Sequence, residues 1–220
     1  MIKSVPWDWA KNESNIWRIP IVESAYLGER WIQKGFKKLL DLGCGLGRHS
    51  IYFAKNDFQV SSMDLSEYGV NHLNKWAKEE GVTINSCIGD MLSLPYEENS
   101  FDCIMAYNVI YHTNTEGFIK TLEEIKRVLK PNGELYMTLI SKNTWSWHQK
   151  EKYIQIDNNT ILRDEHETEK NVPHFYVNID DIVQYFKEFN FVLLPKECTE
   201  YDLENTKYYS SHFEMLLVKK

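Results

Sequence analysis

The sequence predicts an α/β protein with a doubly wound, mostly parallel sheet and helices on both faces. From Lys38 onward, short apolar runs alternate with segments of helical period, which is typical of parallel strands joined by crossover helices. The first run continues into "LLDLGCGLGRHS", where three glycines stand at every second position ahead of a predicted helix. A backbone this rich in glycine indicates a place where a ligand or another segment approaches the main chain closely.

The individual elements follow in order along the chain. The runs that predict strands are "KLLDLG", "FQVSSMD", "VTINSCI", "FDCIMAYNVI", "GELYMTLI", "FVLLPK" and "FEMLLVKK". Four segments between them have a helical period: "RHSIYFAKN", "SEYGVNHLNKWAKEEG", residues 115–130 and residues 179–189. The second should end at Gly81 and the third at "KPNG", because glycine and proline terminate helices.

Two segments fall outside this alternation, and they contain six of the seven tryptophans. We expect one domain over residues 1–220, divided into a helical cap (1–37), a ligand-binding core (38–141), an insert (142–174) and a final helix with two strands (175–220). Within the insert, "YIQIDNNTILR" predicts a hairpin, because turn-forming residues separate two alternating runs. The insert and the cap are candidates for a lid or a substrate pocket.

Charge and cysteine content restrict the class of partner. The formal net charge is -7 and no basic run occurs, which argues against binding to nucleic acid or to an anionic membrane. The four cysteines show no paired spacing, and no apolar stretch is long enough for a membrane span. These features predict a cytoplasmic protein.

Polar residues at the predicted strand ends define a candidate cleft. Asp41, Asp64, Asp90 and Asn108 stand at or just past the ends of the first four strands, and parallel strands place these ends along one edge. The alternative is that they only cap helices and turns. The glycine spacing fits the dinucleotide-binding motif if Ser50 is the third small residue of that motif. Asp41, however, would add negative charge where the two phosphates of a dinucleotide must lie.

The segment from Lys38 to Ile140 resembles the class I S-adenosylmethionine-dependent methyltransferases. The resemblance lies in "DLGCGLG", the strand ending in Asp64, "GDMLSLPYEENSFDCIMAYNVIYH" and "LKPNGELYM". It implies a Rossmann-like seven-stranded sheet whose last strand is antiparallel, and S-adenosylmethionine as the cofactor with S-adenosylhomocysteine as the product. The residues that it implies for cofactor binding are Asp41, Gly43, Cys44, Gly45, Gly47, Asp64, Leu65, Asp90, Met91, Asn108 and Val109.

The glycine loop that runs into "GR" is more narrowly similar to the tellurite-resistance and thiopurine-type methyltransferases. This likeness implies a small-molecule methyl acceptor and a monomer or homodimer. Candidates for a base or for positioning the acceptor are Tyr111, His112, His148 and His174, and candidates for the acceptor pocket are Trp145, Trp147, His166 and Tyr176.

Three other interpretations remain open from the residues. The run "DEHETEKNVPH" offers His166, Glu167 and His174 as metal ligands, but the spacing matches no standard site, so the sequence predicts no metal. An NAD-dependent oxidoreductase would share the glycine loop. A non-catalytic S-adenosylmethionine-binding module would share every cofactor residue, since no catalytic base is certain.

Overall fold

A computed structural model describes residues 4–12, 14–163 and 167–220. In chain order, its strands are β1 (Lys38–Leu42), β2 (Gln59–Asp64), β3 (Asn85–Ile88), β4 (Phe101–Ala106), β5 (Leu129–Ile140), β6 (Ile154–Asp157), β7 (Thr160–Leu162), β8 (Pro173–Phe175), β9 (Phe189–Tyr201) and β10 (Tyr209–Lys219). The α-helices are α1 (Glu23–Gln33), α2 (Arg48–Lys55), α3 (Glu67–Glu80), α4 (Thr115–Val128), α5 (Trp145–His148) and α6 (Ile179–Tyr185). None of the helices in these ranges could cross a membrane.

Seven strands form the central sheet in the order β3-β2-β1-β4-β5-β10-β9. The first five pair in parallel, whereas β10 runs antiparallel to both β5 and β9. The predicted sheet with its antiparallel last strand is therefore confirmed. The strand order reverses between β1 and β4, and this switch point is where doubly wound sheets bind ligands.

Helices cover both faces of the sheet because its central strands are apolar on both sides. In β1, Leu39 packs into one core cluster while Leu40 and Leu42 pack into the other. Cys103 and Ile104 of β4 divide in the same way. This accounts for the uninterrupted apolar runs in the sequence, since a strand buried on both faces has no polar alternation.

Helix α1 is joined to the sheet through one buried carboxylate. Glu134 of β5 is fully buried and accepts hydrogen bonds from Arg30 and Trp31 of α1 and from Lys34 just after it, at 2.7 to 3.0 Å. These donors lower the pKa of Glu134 although its burial would raise it. The contact holds the N-terminal segment against the sheet.

Two helices end earlier than the sequence pattern predicts. Helix α4 ends at Val128, because Leu129 takes an extended conformation and pairs with Phe101 in the sheet. Helix α6 ends at Tyr185, and the chain enters β9 at Phe189. In both cases the pairing of a following strand ends a helix whose apolar period continues further.

The insert adds a second, three-stranded sheet above the carboxyl edge of the main sheet. Strands β6 and β7 form an antiparallel hairpin around Asn158 and Asn159, and β7 pairs in turn with β8. The backbone N–H of Phe175 donates to the carbonyl of Tyr111, which follows β4. This bond attaches the insert to the loop at the end of β4.

Candidate active site

The glycine loop between β1 and α2 is held in a conformation that few other residues adopt. Gly43 and Gly45 have φ of +69° and +54°. A Cβ atom on Gly43 would lie 2.2 Å from Cγ2 of Val109, and one on Gly45 would lie 2.4 Å from the ring of Trp9. The glycines are therefore required both by the turn and by the side chains that press on the loop.

Asp64, the last residue of β2, is fixed by backbone donors. Its two carboxylate oxygens each accept a 2.8 Å hydrogen bond, one from the N–H of Gly45 and one from the N–H of Ser66. Burial raises the pKa of Asp64, and these donors act in the opposite direction. The carboxylate thus has one orientation at the end of the strand.

A cavity of about 410 Å³ opens along the carboxyl ends of β1, β2 and β4. Eight residues of the predicted cofactor set line it: Gly43, Cys44, Asp64, Leu65, Asp90, Met91, Asn108 and Val109. Asn108 is held by Thr138, whose Oγ1 accepts from its N–H and donates to its Oδ1, both at 2.8 Å. The structure brings together side chains that lie far apart in the sequence.

Asp41 does not line the cavity. It is only 1% exposed and accepts a hydrogen bond from the hydroxyl of Ser50, which in turn accepts one from Ser62. Burial raises the pKa of Asp41 to about 6. Its described partners lie beneath the glycine loop, so its negative charge acts on the loop from below.

Three tryptophans of the N-terminal segment, Trp7, Trp9 and Trp17, cover the glycine loop, and we call them the tryptophan cap. Their ring centroids lie 4.4 to 5.4 Å apart in edge-to-face contacts. All three line the cavity. A further bond from the N–H of Asp8 to the carbonyl of Thr168 joins the cap to the insert, so the two segments close the cavity together.

Arg48 anchors the segment that carries the cap. Its Nη1 donates to the carbonyls of Ile16 and Ile19 at 3.1 and 3.2 Å, and its guanidinium lies over the rings of Trp17 and Tyr107. The side chain is 9% exposed, and burial lowers its pKa. Arg48 therefore holds the N-terminal segment in place.

One end of the cavity, which we call the polar end, is lined by polar and aromatic side chains from the later part of the chain. Tyr111 and His112 follow β4, His174 belongs to β8, and Glu169 precedes β8 in a 3-10 turn (Glu167–Glu169). The rings of His112 and His174 lie 5.0 Å apart, and Nε2 of His174 lies 3.4 Å from Oε2 of Glu169. Burial lowers the pKa of His112 to about 3, which keeps it neutral.

The remaining predicted residues lie elsewhere or outside the described part of the chain. Trp147 packs against Tyr176 beneath the insert, and Trp145 contacts Tyr208. Neither these tryptophans nor Tyr176 line the cavity, and His148 is exposed. His166 and the side chain of Glu167 lie outside the described residues.

Sequence reasoning did not select three residues that line the polar end: Arg163, Glu169 and His212. Nε2 of His212 and the hydroxyl of Tyr111 share a 3.2 Å hydrogen bond. His212 could have been noticed as a histidine at the start of an apolar strand. Glu169 lies in an acidic run whose composition is typical of an exposed turn, and the sequence around Glu169 does not predict that it is buried.

Comparison with protein families gives a match to the model described as a methyltransferase domain, over residues 39–133. The chain is 34% identical over 100 residues to a sterol 24-C-methyltransferase of Gibberella zeae, covering 44% of this chain and 26% of the relative. It is 31% identical over 121 residues to a protein of Mus musculus named "Probable tRNA methyltransferase 9B", covering 54% and 24%. The chain spans less than half the length of these relatives.

Among solved structures, TehB from Haemophilus influenzae superimposes with a TM-score of 0.66 at 20% sequence identity. The match covers 89% of this chain and 62% of that chain. At this identity the likeness concerns the fold.

Proposed function

We propose that this chain, which matches the methyltransferase domain model over residues 39–133, is a class I S-adenosylmethionine-dependent methyltransferase that transfers the methyl group of the cofactor to a small-molecule acceptor held in the cavity. The observation that carries the proposal is the position of Asp64. Its carboxylate lies on the cavity wall next to a glycine loop, as a site for a nucleoside requires.

The residues around the cavity fit this cofactor. Each oxygen of Asp64 accepts one backbone hydrogen bond and retains a lone pair for a ribose hydroxyl. Asp90 uses Oδ1 to accept the N–H of Leu92, which leaves Oδ2 for an amino group, and Met91 supplies an apolar wall. Asp41 is the one predicted residue whose burial beneath the loop argues against direct contact.

The enclosure of the cavity supports a small acceptor. A volume of about 410 Å³ lies within the ordinary range of small-molecule pockets, and the tryptophan cap and the insert cover its mouth. The net charge of -7 disfavours a polyanion such as tRNA, which one relative is named for. A neutral or cationic acceptor suits the aromatic walls better.

The cofactor supplies an electrophilic methyl group, so the protein has mainly to position the acceptor and exclude water. The cap and the insert exclude water by covering the cavity. Tyr111, His112 and His174 line the end where Asn108 stands, and we assign them to acceptor contact.

Two titrations test the cofactor. We expect S-adenosylhomocysteine to bind the purified chain with micromolar affinity and NAD not to bind; binding of NAD alone would support an oxidoreductase instead. Labelled methyl groups should then pass into a metabolite extract and not into bulk tRNA. Transfer to tRNA alone would refute the small acceptor, and binding without any transfer would favour a non-catalytic module.

The state of assembly and the location in the cell complete the proposal. We expect a monomer or a homodimer, which sedimentation would distinguish from larger assemblies. A cytoplasmic location stays a prediction from the sequence.

A further inference from the structure

We propose that His112, Glu169 and His174, which we call the histidine cluster, bind one divalent cation of the zinc class at the polar end of the cavity. One ligand atom from each residue lies within 4.8 Å of the others. Within the described part of the chain, Nε2 of both histidines and Oε2 of the glutamate are buried without a hydrogen-bond partner. Buried polar atoms are nearly always paired, so a group of such atoms close together indicates a site for a ligand.

The tautomer of His174 follows from its neighbour. Its Nδ1 lies 2.9 Å from the carbonyl oxygen of Val172, and since a carbonyl only accepts, Nδ1 carries the proton. Nε2 is then the ring nitrogen that is left to contact a ligand. A histidine whose other nitrogen donates to a backbone carbonyl is the usual arrangement for a metal ligand, because the bond fixes both tautomer and ring orientation.

Nε2 of His174 lies close to an oxygen of Glu169. The two atoms, Nε2 and Oε2, are 3.4 Å apart, so both are able to contact a single cation. In a tetrahedral site with metal–ligand distances of about 2.0–2.2 Å, neighbouring ligand atoms lie about 3.3–3.6 Å apart. The separation of His174 and Glu169 matches this edge, and a ring nitrogen of His112 lies within 4.8 Å of both ligand atoms, close enough to be the third ligand.

The three ligands come from segments that the backbone holds together. The N–H of His112 donates to the carbonyl of Val109 at 2.9 Å, and the N–H of Phe175, next to His174, donates to the carbonyl of Tyr111 at 2.8 Å. The loop after β4 and strand β8 are thus directly joined. The ligand positions are set before any cation arrives, which limits the ordering cost of binding.

The kind of cation follows from the donor set. Two imidazoles and one carboxylate suit zinc or iron(II), whereas magnesium and calcium prefer oxygen ligands. Three protein ligands leave a coordination position open, and the cluster lines the cavity, so that position faces the space assigned to the acceptor. Nη2 of Arg163 lies 3.6 Å from Oε2 of Glu169, and its charge should make the affinity lower than that of a closed structural site.

Zinc titration of the chelator-treated full chain tests this inference. We expect one zinc per chain with a micromolar or tighter dissociation constant, at least 10-fold weaker binding in His112→Ala, Glu169→Gln and His174→Ala, and no comparable binding of magnesium. Cobalt(II) in place of zinc should give visible absorption that the three variants lose. His148→Ala is the matched control, because His148 is exposed and lies outside the cavity.

Several outcomes would overturn it: no one-to-one zinc binding, wild-type affinity in the variants, or magnesium binding as tightly as zinc. Binding of S-adenosylhomocysteine by each variant reports whether it is folded. Should His174→Ala fail to fold, Glu169→Gln decides, since the side chain of Glu169 is 17% exposed and its amide isostere keeps the volume. Zinc binding is measured without methyl transfer. A loss of zinc binding is therefore distinguishable from a loss of cofactor binding.

Discussion

The backbone N–H of Gly45 donates a 2.8 Å hydrogen bond to Oδ2 of Asp64 and so ties the glycine loop to the end of β2. The second oxygen of Asp64 accepts from Ser66 at the start of α3. One carboxylate therefore positions two loops and also lines the cavity. Its structural role is therefore coupled to the cofactor-binding role that we propose for it, and a substitution at this position should affect both.

Asp64→Ala should weaken binding of S-adenosylhomocysteine by about 1.5–3 kcal/mol, because charge-assisted hydrogen bonds are lost. The melting temperature should also fall, because two backbone N–H groups lose their acceptor. Isothermal titration and a thermal melt measure the two effects. Asp180→Ala, at an exposed position, is the control; equal affinity in both variants would contradict the assignment.

Gly45→Ala should displace the tryptophan cap. The added methyl group would collide with Trp9, so we expect weaker cofactor binding and easier quenching of tryptophan fluorescence by acrylamide. Gly35→Ala is a matched control, since Gly35 also has positive φ but open space around its Cβ position. Similar quenching in the two variants would show that backbone strain alone produces the effect.

Arg48→Lys should release the N-terminal segment. Lysine lacks the planar fork that reaches two carbonyls and stacks on an aromatic ring. Trypsin should therefore cleave after Lys11 and Arg18 several-fold faster than in the wild type, as measured by mass spectrometry over time. Lys75→Ala, on the exposed face of α3, should leave the rate unchanged, and an equal rate in Arg48→Lys would count against the anchor.

Asp41→Asn should change how stability depends on pH. Burial raises the pKa of Asp41 to about 6 in the folded chain, above the 3.8 of an unperturbed carboxyl, so between these values the folded state binds more protons at this site. The contribution of Asp41 to the free energy of unfolding therefore falls as pH rises from about 4 to 6. The variant should show a shallower fall in denaturant titrations, and an unchanged slope would mean that Asp41 does not titrate there.

Glu134→Gln should destabilise the fold by about 2–4 kcal/mol, because Arg30 and Lys34 lose their shared buried carboxylate. Arg30 and Lys34 are partly exposed, which keeps the loss below that of a fully buried pair. Chemical denaturation measures the change against Glu79→Gln, an exposed control. A difference of less than about 0.5 kcal/mol between them would refute the proposed anchor.

The order of strands and helices was predictable from the sequence, because a strand that is buried on both faces of the sheet requires an uninterrupted apolar run. The strand ends were predictable for the same reason, and with them the polar residues at one edge of the sheet. The positions at which helices end were less predictable. Helix α4 ends before Leu129 because Leu129 pairs with Phe101 in the sheet, and Phe101 is remote in the sequence.

The sequence by itself determined the parallel core, the glycine loop and most of the residues that line the cofactor side of the cavity. Only the tertiary structure decided that Asp41 is buried against Ser50, that Trp147 packs against Tyr176, and that Glu169 lies close to two histidines. The physical reason is that strand and helix periods are local properties of the chain. The contact between His112 and His174 depends on how the insert packs at the edge of the sheet, and a local sequence period does not predict such packing.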